Sequence, residues 1–300
     1  MHIKEMRGLK VRGRVVAQQS MKELTSLKIG GQAYLYVVPE DLEDLKTVIS
    51  FCKDNGLSFL VIGNGSKLLI RDEGFKGVVV KLGSSFTRIK MENKGDGITV
   101  GAGVSLSTLI DFASEKELSG LELLVGIPGT VGGAIARNAS AFGQDLGQRV
   151  IWVRALDNST GDFTIRKEDI LFGYRTSVFM DKKDWIITEV KLALPAGRKE
   201  EIISRLREAR DKKMRSQPIS LPSAGCVFKN PPSCSAGLLI QRAGCSGMRV
   251  GDAQVSTHHA NFIVNKGNAA ARDVIRLIDM VRERVKASSG ITLEPELEII

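Results

Sequence analysis

An α+β chain is what this sequence predicts, and three observations predict it. From residue 20 to 195, short β-rich runs end in glycines again and again. After Pro195 the pattern changes to a charged helical stretch, 198–215, and later to an apolar stripe at helical spacing in 269–287. No exact repeat, heptad or low-complexity tract breaks this order.

The elements follow in turn. "QAYLYVVP" (32–39) alternates as a strand and stops at Pro39. In 41–56, Leu42, Leu45, Val48, Ile49 and Cys52 share one helix face, and Gly56 is the C-terminal cap. "SFLVIG" (58–63), "GVVVKL" (77–82) and "GITVGAG" (97–103) are strands running into glycine. A helix over 105–120 takes Ser105 or Ser107 as its cap. Residues 150–165 form two strands about an "NSTG" turn, and 185–195 a long strand. "ANFIVN" (260–265) precedes the last helix, where Val274, Ile278, Val281 and Val285 line one face. "GITLEPELEII" closes the chain as an expected strand, with Glu294 and Glu296 on one face by its period of two.

Composition narrows the function classes. A chain of 300 residues, 43% hydrophobic and 26% charged, has enough material for two or three domains without disulfides. The four cysteines (52, 226, 234 and 245) are too few and scattered for a disulfide framework, and "MHIKEMRGLKVRGRVV" has no apolar signal core. A reducing cytoplasm is the expected location. No apolar run approaches the ~18 residues of a membrane span, so no membrane partner is expected. The net charge of +9 is concentrated in a basic N-terminal arm (Lys4, Arg7, Lys10, Arg12 and Arg14 against Glu5) and in 199–215, with seven basic and four acidic side chains. Aromatics are only 5% with no interleaved stacking pattern, so nucleic acid is not the expected partner. A small anionic ligand accounts for the charge. Cys234, Cys245, His258 and His259 fit no standard zinc spacing, and no metal is expected.

Three glycine loops invite an anion: Gly63-Asn64-Gly65-Ser66, Gly101-Ala102-Gly103, and the stretch 126–143 with glycines at 126, 129, 132, 133 and 143. Any one of them could merely shape a turn; three at strand ends favour a nucleotide cradle. There is no P-loop pattern. "GNGSKL" and "GAGVSL" lack the third glycine of a dinucleotide fingerprint, and "VKLGSSFTR" (80–88) lacks its acid, which argues against a Rossmann site.

"GNGSKLLI", "LSGLELLVGIPGTVGGAIARNASAFG", "FGYRTSVF", "PSAGCVFKNP", "AQVSTHHANFIVN" and "LEPELEII" stand in an order that resembles the UDP-N-acetylenolpyruvoylglucosamine reductase family, in its type II branch. The resemblance runs from about Leu24 to Ile300. It implies an FAD-binding fold of the vanillyl-alcohol-oxidase (PCMH) type in two subdomains, here 21–85 and 86–195 after an arm 1–20. A C-terminal α+β substrate domain, 196–300, would follow. It further implies a peptidoglycan-synthesis enzyme with FAD as cofactor and NADPH as hydride donor. The substrate would be UDP-N-acetylglucosamine enolpyruvate and the product UDP-N-acetylmuramate. Oligomeric state is not implied.

By the same resemblance, Gly63, Asn64, Gly65, Ser66 and Lys67 lie on the FAD pyrophosphate, with Lys67 in place of the family's usual asparagine. Gly129, Thr130, Gly132, Gly133 and Asn138 wrap the flavin, although "RNASAFG" replaces the usual pattern of Gly and Tyr around Asn. Flavin N5 delivers hydride to the enolpyruvyl methylene carbon, so that negative charge builds on the adjacent carbon and its carboxylate. Arg175 matches the catalytic arginine, whose guanidinium suits that carboxylate; read alone, it could be a surface ion pair. Glu296 matches the catalytic glutamate, with Glu294 as its neighbour and competitor. Tyr174, Arg215, Gln217, Lys229 and Asn230 are candidates for the substrate phosphates and sugar, or ordinary surface residues. His259 is expected to be structural or to support the site from behind, not to be catalytic, and Cys52 is expected to be core. Cys226 stands where the family commonly has a proton-donating serine. A thiol ionises at about 8.5, far below an alcohol, and nearby cations (Arg175 and Lys229 are the expected ones) would lower that further. The rival readings are a non-catalytic nucleotide-binding module and another flavin oxidoreductase of the same FAD fold.

Overall fold

Residues 9–91 and 97–300 are described by a computed structural model; Lys4, Glu5 and Arg7 of the basic arm lie outside the described residues. The chain crosses repeatedly between two units. The first takes the segment ending at Ala17, Leu35–Gly63 and Lys76–Asp211; the second takes Gln18–Tyr34, Asn64–Phe75 and Lys212–Ile300.

A four-stranded sheet, most of whose residues belong to the first unit, has the order Arg14–Ser20, Gln32–Val38, Phe75–Lys81, Phe59–Ile62. The last two strands run parallel, from Phe59 opposite Val78 to Ile62 opposite Lys81. The helix Leu42–Asp54 connects the sheet's second strand to Phe59–Ile62, and its cap Asp41 accepts from the Asp44 N–H at 3.1 Å. The stripe read from the sequence is its buried face, with Leu45 and Val48 fully enclosed. Asp44 is buried beside them. Burial pushes its carboxyl up, but bonds from the N–H groups of Glu40, Arg12 and Gly13 outweigh that and hold it below its ordinary value. The basic arm is therefore not a loose extension over its described part. Arg12 is bonded to Asp41 and Asp44, and Arg14–Ser20 is an edge strand.

A five-stranded antiparallel sheet follows, ordered Gly161–Arg166, Val150–Asp157, Trp185–Leu192, Ile98–Gly101, Ile89–Met91. Ile98, Val100, Val153, Ala155, Val190 and Leu192 point into one core with Leu106 and Leu109 of the helix Leu106–Glu115. Ser105 is its cap, accepting from Thr108 N–H at 3.0 Å. The helix stops at Glu115, short of the expected residue 120, because Glu117 turns left-handed at φ +56°.

The second unit centres on a four-stranded antiparallel sheet, ordered Ser223–Cys226, Phe262–Asn265, Ala253–Val255, Arg249–Val250. The helices Ala236–Arg242 and Ala271–Ser289 close its core, with Leu239, Ile240, Val274, Leu277, Ile278, Val281 and Val285 buried against Phe228, Val255 and Ile263. Ala270 has no side chain able to cap the long helix. Asp72 does so from 199 residues away, accepting from the N–H groups of Ala271 (2.8 Å) and Arg272 (3.1 Å). The tail is not the long strand expected. Only Glu298–Ile299 pairs, parallel to Leu68–Leu69, while Pro295 makes an isolated bridge to Phe228. A proline has no N–H for a ladder, so the alternation fails at 295.

Candidate active site

In the first unit, Tyr174 and Arg175 occupy the tip of a tight turn closed by paired main-chain bonds between Gly173 and Thr176, at 3.0 and 3.4 Å. Arg175 is left-handed, at φ +57°. Such a conformation costs a non-glycine residue about 1–2 kcal/mol and must be held from outside. Two buried side chains hold it. Asn138 donates Nδ2–H to the Gly173 carbonyl at 2.9 Å and accepts from Gly147 N–H at 3.0 Å. Ser177 donates Oγ–H to the Ala136 carbonyl at 2.6 Å. The Arg175 guanidinium lies over the half-exposed Tyr174 ring, 5.9 Å from its centre.

The glycine loops differ in use. Gly101 and Gly103 are packing glycines: a Cβ on Gly101 would lie 2.1 Å from the Phe86 carbonyl oxygen, so this loop offers no open cradle. The stretch 126–143 is not all loop. Val131–Ala136 is a short helix, and Thr130 caps it by accepting from Gly133 N–H at 3.4 Å. Gly63 packs directly on Thr130, where a Cβ would meet Oγ1 at 2.4 Å, so the first and third loops meet in this unit. At Gly133 a Cβ would touch only that hydroxyl, at 3.7 Å. The main chain there is bare and fits the close approach of a phosphate group, as an FAD cradle requires. Phe142 is half-exposed and left-handed, at φ +52°.

Asn64, Gly65, Ser66 and Lys67 belong to the second unit. Gly65 (φ +60°) is pressed on the Leu24 carbonyl, leaving Asn64 exposed and Ser66 half-buried. Lys67 turns its ammonium inward. Nζ donates to the Cys226 carbonyl at 2.7 Å and pairs with Glu296 Oε1 at 3.0 Å. Cys226 ends a strand that is bulged between Ser223 and Cys226, with Gly225 at φ +71° beside the Lys67 ammonium. Glu296 is fixed by its own N–H to the Val227 carbonyl at 2.7 Å. Cys226 and Glu296, two residues singled out for chemistry, thus share one ammonium.

Glu294 separates from Glu296 cleanly. Its side chain is 69% exposed and binds Lys229 Nζ at 2.5 Å, whereas that of Glu296 is 6% exposed. The cation at the Cys226 main chain is Lys67, and Lys229 is paired away with Glu294. Asn230 Oδ1 accepts from Ala236 N–H at 2.9 Å, anchoring a helix start. Arg215 is exposed in the last turn of Lys199–Ser216, and Gln217 is half-buried just beyond it. Sequence reasoning missed Asn261, 2% exposed, whose amide bonds both the N–H and the C=O of Phe228 at 2.9 and 2.8 Å. An asparagine set into the apolar run "ANFIVN" was the available signal. His259 is structural: burial lowers its pKa, it accepts from Asn261 N–H at 3.3 Å, and it packs 4.8 Å from Phe262. Among the described residues no group of three or more His, Cys, Asp or Glu could hold a metal, and no helix is long and apolar enough to cross a membrane. A recess in the first unit, lined by Cys52, Phe59 and Lys183 among others, includes none of the residues named for the site.

The match of residues 33–165 to an FAD binding domain, with the relatives below, makes the chain a flavoenzyme, an oxidoreductase built on the FAD-binding fold. Residues 33–165 match the FAD binding domain, and residues 217–300 match the C-terminal domain of UDP-N-acetylenolpyruvoylglucosamine reductase. The reductase of that name from Heliobacterium modesticaldum is 42% identical over 290 residues, covering 96% of this chain and 91% of the relative. That from Bacillus subtilis is 38% identical over 288 residues, covering 96% and 94%. The crystal structure of the Thermus caldophilus reductase superposes with a TM-score of 0.82 at 38% identity, covering 97% of this chain and 99% of the other. The chain belongs to the UDP-N-acetylenolpyruvoylglucosamine reductase family.

Proposed function

We propose that this chain reduces UDP-N-acetylglucosamine enolpyruvate to UDP-N-acetylmuramate in the cytoplasm, with NADPH as electron source and Cys226 as proton donor. The observation that carries the assignment of roles is the meeting of Cys226 and Glu296 at the Lys67 ammonium. Bound FAD supplies the hydride that reaches the methylene carbon; Gly63, Gly129, Thr130, Gly132 and Gly133 are the residues to hold it, with Asn64, Gly65 and Ser66 toward its phosphates. Arg175 takes the substrate carboxylate: a guanidinium keeps its charge and offers a two-pronged donor as the carboxylate gains electron density. Glu296 is assigned to the same carboxylate, which it can orient by donating a hydrogen bond once it carries a proton. The Cys226 S–H bond breaks as a C–H bond forms on the carbon bearing the carboxylate, and the thiolate recovers its proton from solvent. Hydride plus proton reduce one C=C bond, so the balance closes. Tyr174, Arg215, Gln217, Lys229 and Asn230 are assigned to the phosphates and sugar. The substrate-binding role goes to the C-terminal region 196–300 and the FAD-binding role to 21–85 and 86–195.

The test uses purified full-length chain loaded with FAD. NADPH oxidation must require the enolpyruvyl UDP-sugar and yield a product two hydrogens heavier. NADPH consumption that is equal without this substrate would mark another flavin oxidoreductase, and a chain that takes up no FAD would mark a non-catalytic module. C226A should still be reduced by NADPH yet fail to reduce substrate.

A further inference from the structure

The sequence places Lys67 in a phosphate-binding glycine loop, but the structure gives its ammonium other work. Lys67 directly precedes Leu68–Leu69, the strand that pairs with Glu298–Ile299, and its own carbonyl accepts the Glu298 N–H at 3.0 Å. The main chain of Lys67 is thereby locked beside the tail that carries Glu296. The side chain reaches the Glu296 carboxylate at 3.0 Å and the Cys226 carbonyl at 2.7 Å. Its surroundings are tight: the side chain is 23% exposed, and a Cβ on Gly225 would lie 3.4 Å from Nζ. One group therefore adds a side-chain tie between two segments whose main chains already meet, the N–H groups of Glu296 and Leu297 donating to the Val227 carbonyl and that of Lys229 to the Glu294 carbonyl.

We propose that Lys67 is a positioning residue for the reduction of substrate, holding the Glu296 carboxylate against the Cys226 main chain so that the acid-handling groups keep one geometry. The inference rests on the roles assigned above to Cys226 and Glu296. It places Lys67 on the proton-delivery side of the reaction and away from the FAD phosphates.

The experiment separates the two half-reactions on FAD-loaded full-length protein. Rapid mixing with NADPH reads flavin reduction; mixing the reduced enzyme with the enolpyruvyl UDP-sugar reads reoxidation. K67M, which keeps the aliphatic stem and removes both bonds, is expected to slow reoxidation about 10²-fold, the scale on which a ~1 Å misplacement acts. Flavin reduction and FAD content should stay within about twofold of wild type on the same argument. K67R, able to donate to both acceptors, should recover most of the loss. K67Q replaces K67M under the same criterion should K67M not fold, and urea unfolding of the FAD-free chain reads folding independently of activity. Equal slowing of both half-reactions, or loss of FAD, would place Lys67 on the cofactor and overturn the inference, as would reoxidation at the wild-type rate in K67M. C226A and E296Q are run beside it. If both turn over normally, the assigned roles fail, whatever Lys67 does; if they fail while K67M is unaffected, only the Lys67 inference falls.

Discussion

Replacing Asn138 by Asp tests whether the Arg175 turn is held from the helix beside it. The exchange preserves size, the acceptor toward Gly147 N–H and the tolerance for a left-handed residue, which Asn138 needs at φ +42°. It replaces the Nδ2–H donor to the Gly173 carbonyl with an oxygen, setting two acceptors where a 2.9 Å bond stood. Asn138 is 4% exposed, so water does not readily make good the loss. The half-buried Gly173 carbonyl keeps only the longer 3.4 Å bond from Thr176 N–H; losing the shorter bond and setting two oxygens face to face costs about 1–3 kcal/mol. The total is comparable to the ~1–2 kcal/mol that the left-handed Arg175 requires, so the turn should relax. Arg175 then moves off the position for the substrate carboxylate. We expect kcat/KM to fall about 10²-fold, with FAD retained and the urea midpoint lowered. S177A, which loses the 2.6 Å bond to Ala136, should move the same quantities less. If N138D instead sheds FAD, and at saturating FAD has near wild-type kcat/KM, Asn138 serves the flavin and the clamp argument is wrong. An N138D enzyme unchanged in every respect refutes both.

Three further outcomes are expected. Burial raises the Cys52 thiol to about 11 and raises that of Cys245, so an alkylating reagent at pH 8 should modify Cys226 and Cys234 well ahead of those two; substrate should protect Cys226 alone, as peptide mass mapping would read. Asp44 sits below its ordinary value when folded, so its contribution is complete above the unfolded carboxyl pKa of about 4 and is lost as pH falls through the folded value. D44A should therefore be about 1–2 kcal/mol less stable than wild type at pH 7, by urea unfolding, with the gap narrowing toward pH 2.5. D72A removes the cap of Ala271–Ser289 and should cost about 1–2 kcal/mol, with little change in FAD content.

What could be read from the sequence was whatever depends on near neighbours. The stripe of Leu45, Val48 and Ile49, the Ser105 cap and the strand pair about "NSTG" all appear where the local pattern sets them. The matched motifs carried the family. Spacing failed where a distant partner decides. Gly101 looks like part of an anion loop until Phe86 is seen against it, and nothing local marks Asp72 as the cap of a helix that starts 199 residues later. The motif picks Glu296, but a period-two strand cannot separate it from Glu294; at Pro295, bridged to Phe228, that period breaks, and the two carboxylates meet different surroundings.

Lys67 is the sharpest of these cases, since its motif and its contacts point to different jobs. A lysine in "GNGSK" suggests a phosphate partner, because that is the usual reason for a cation beside bare glycine backbone. Here the carboxylate it meets is nearly enclosed, and a buried charge without a partner is far more costly than a buried pair. The Lys67–Glu296 pair gives the enclosed carboxylate its counter-charge, and the bond to the Cys226 carbonyl satisfies a further main-chain acceptor. An asparagine at 67 would leave Glu296 to find its balance elsewhere. Position 67, position 226 and position 296 thus form one interdependent set in this chain, and any substitution at one of them has to be judged with the other two in place.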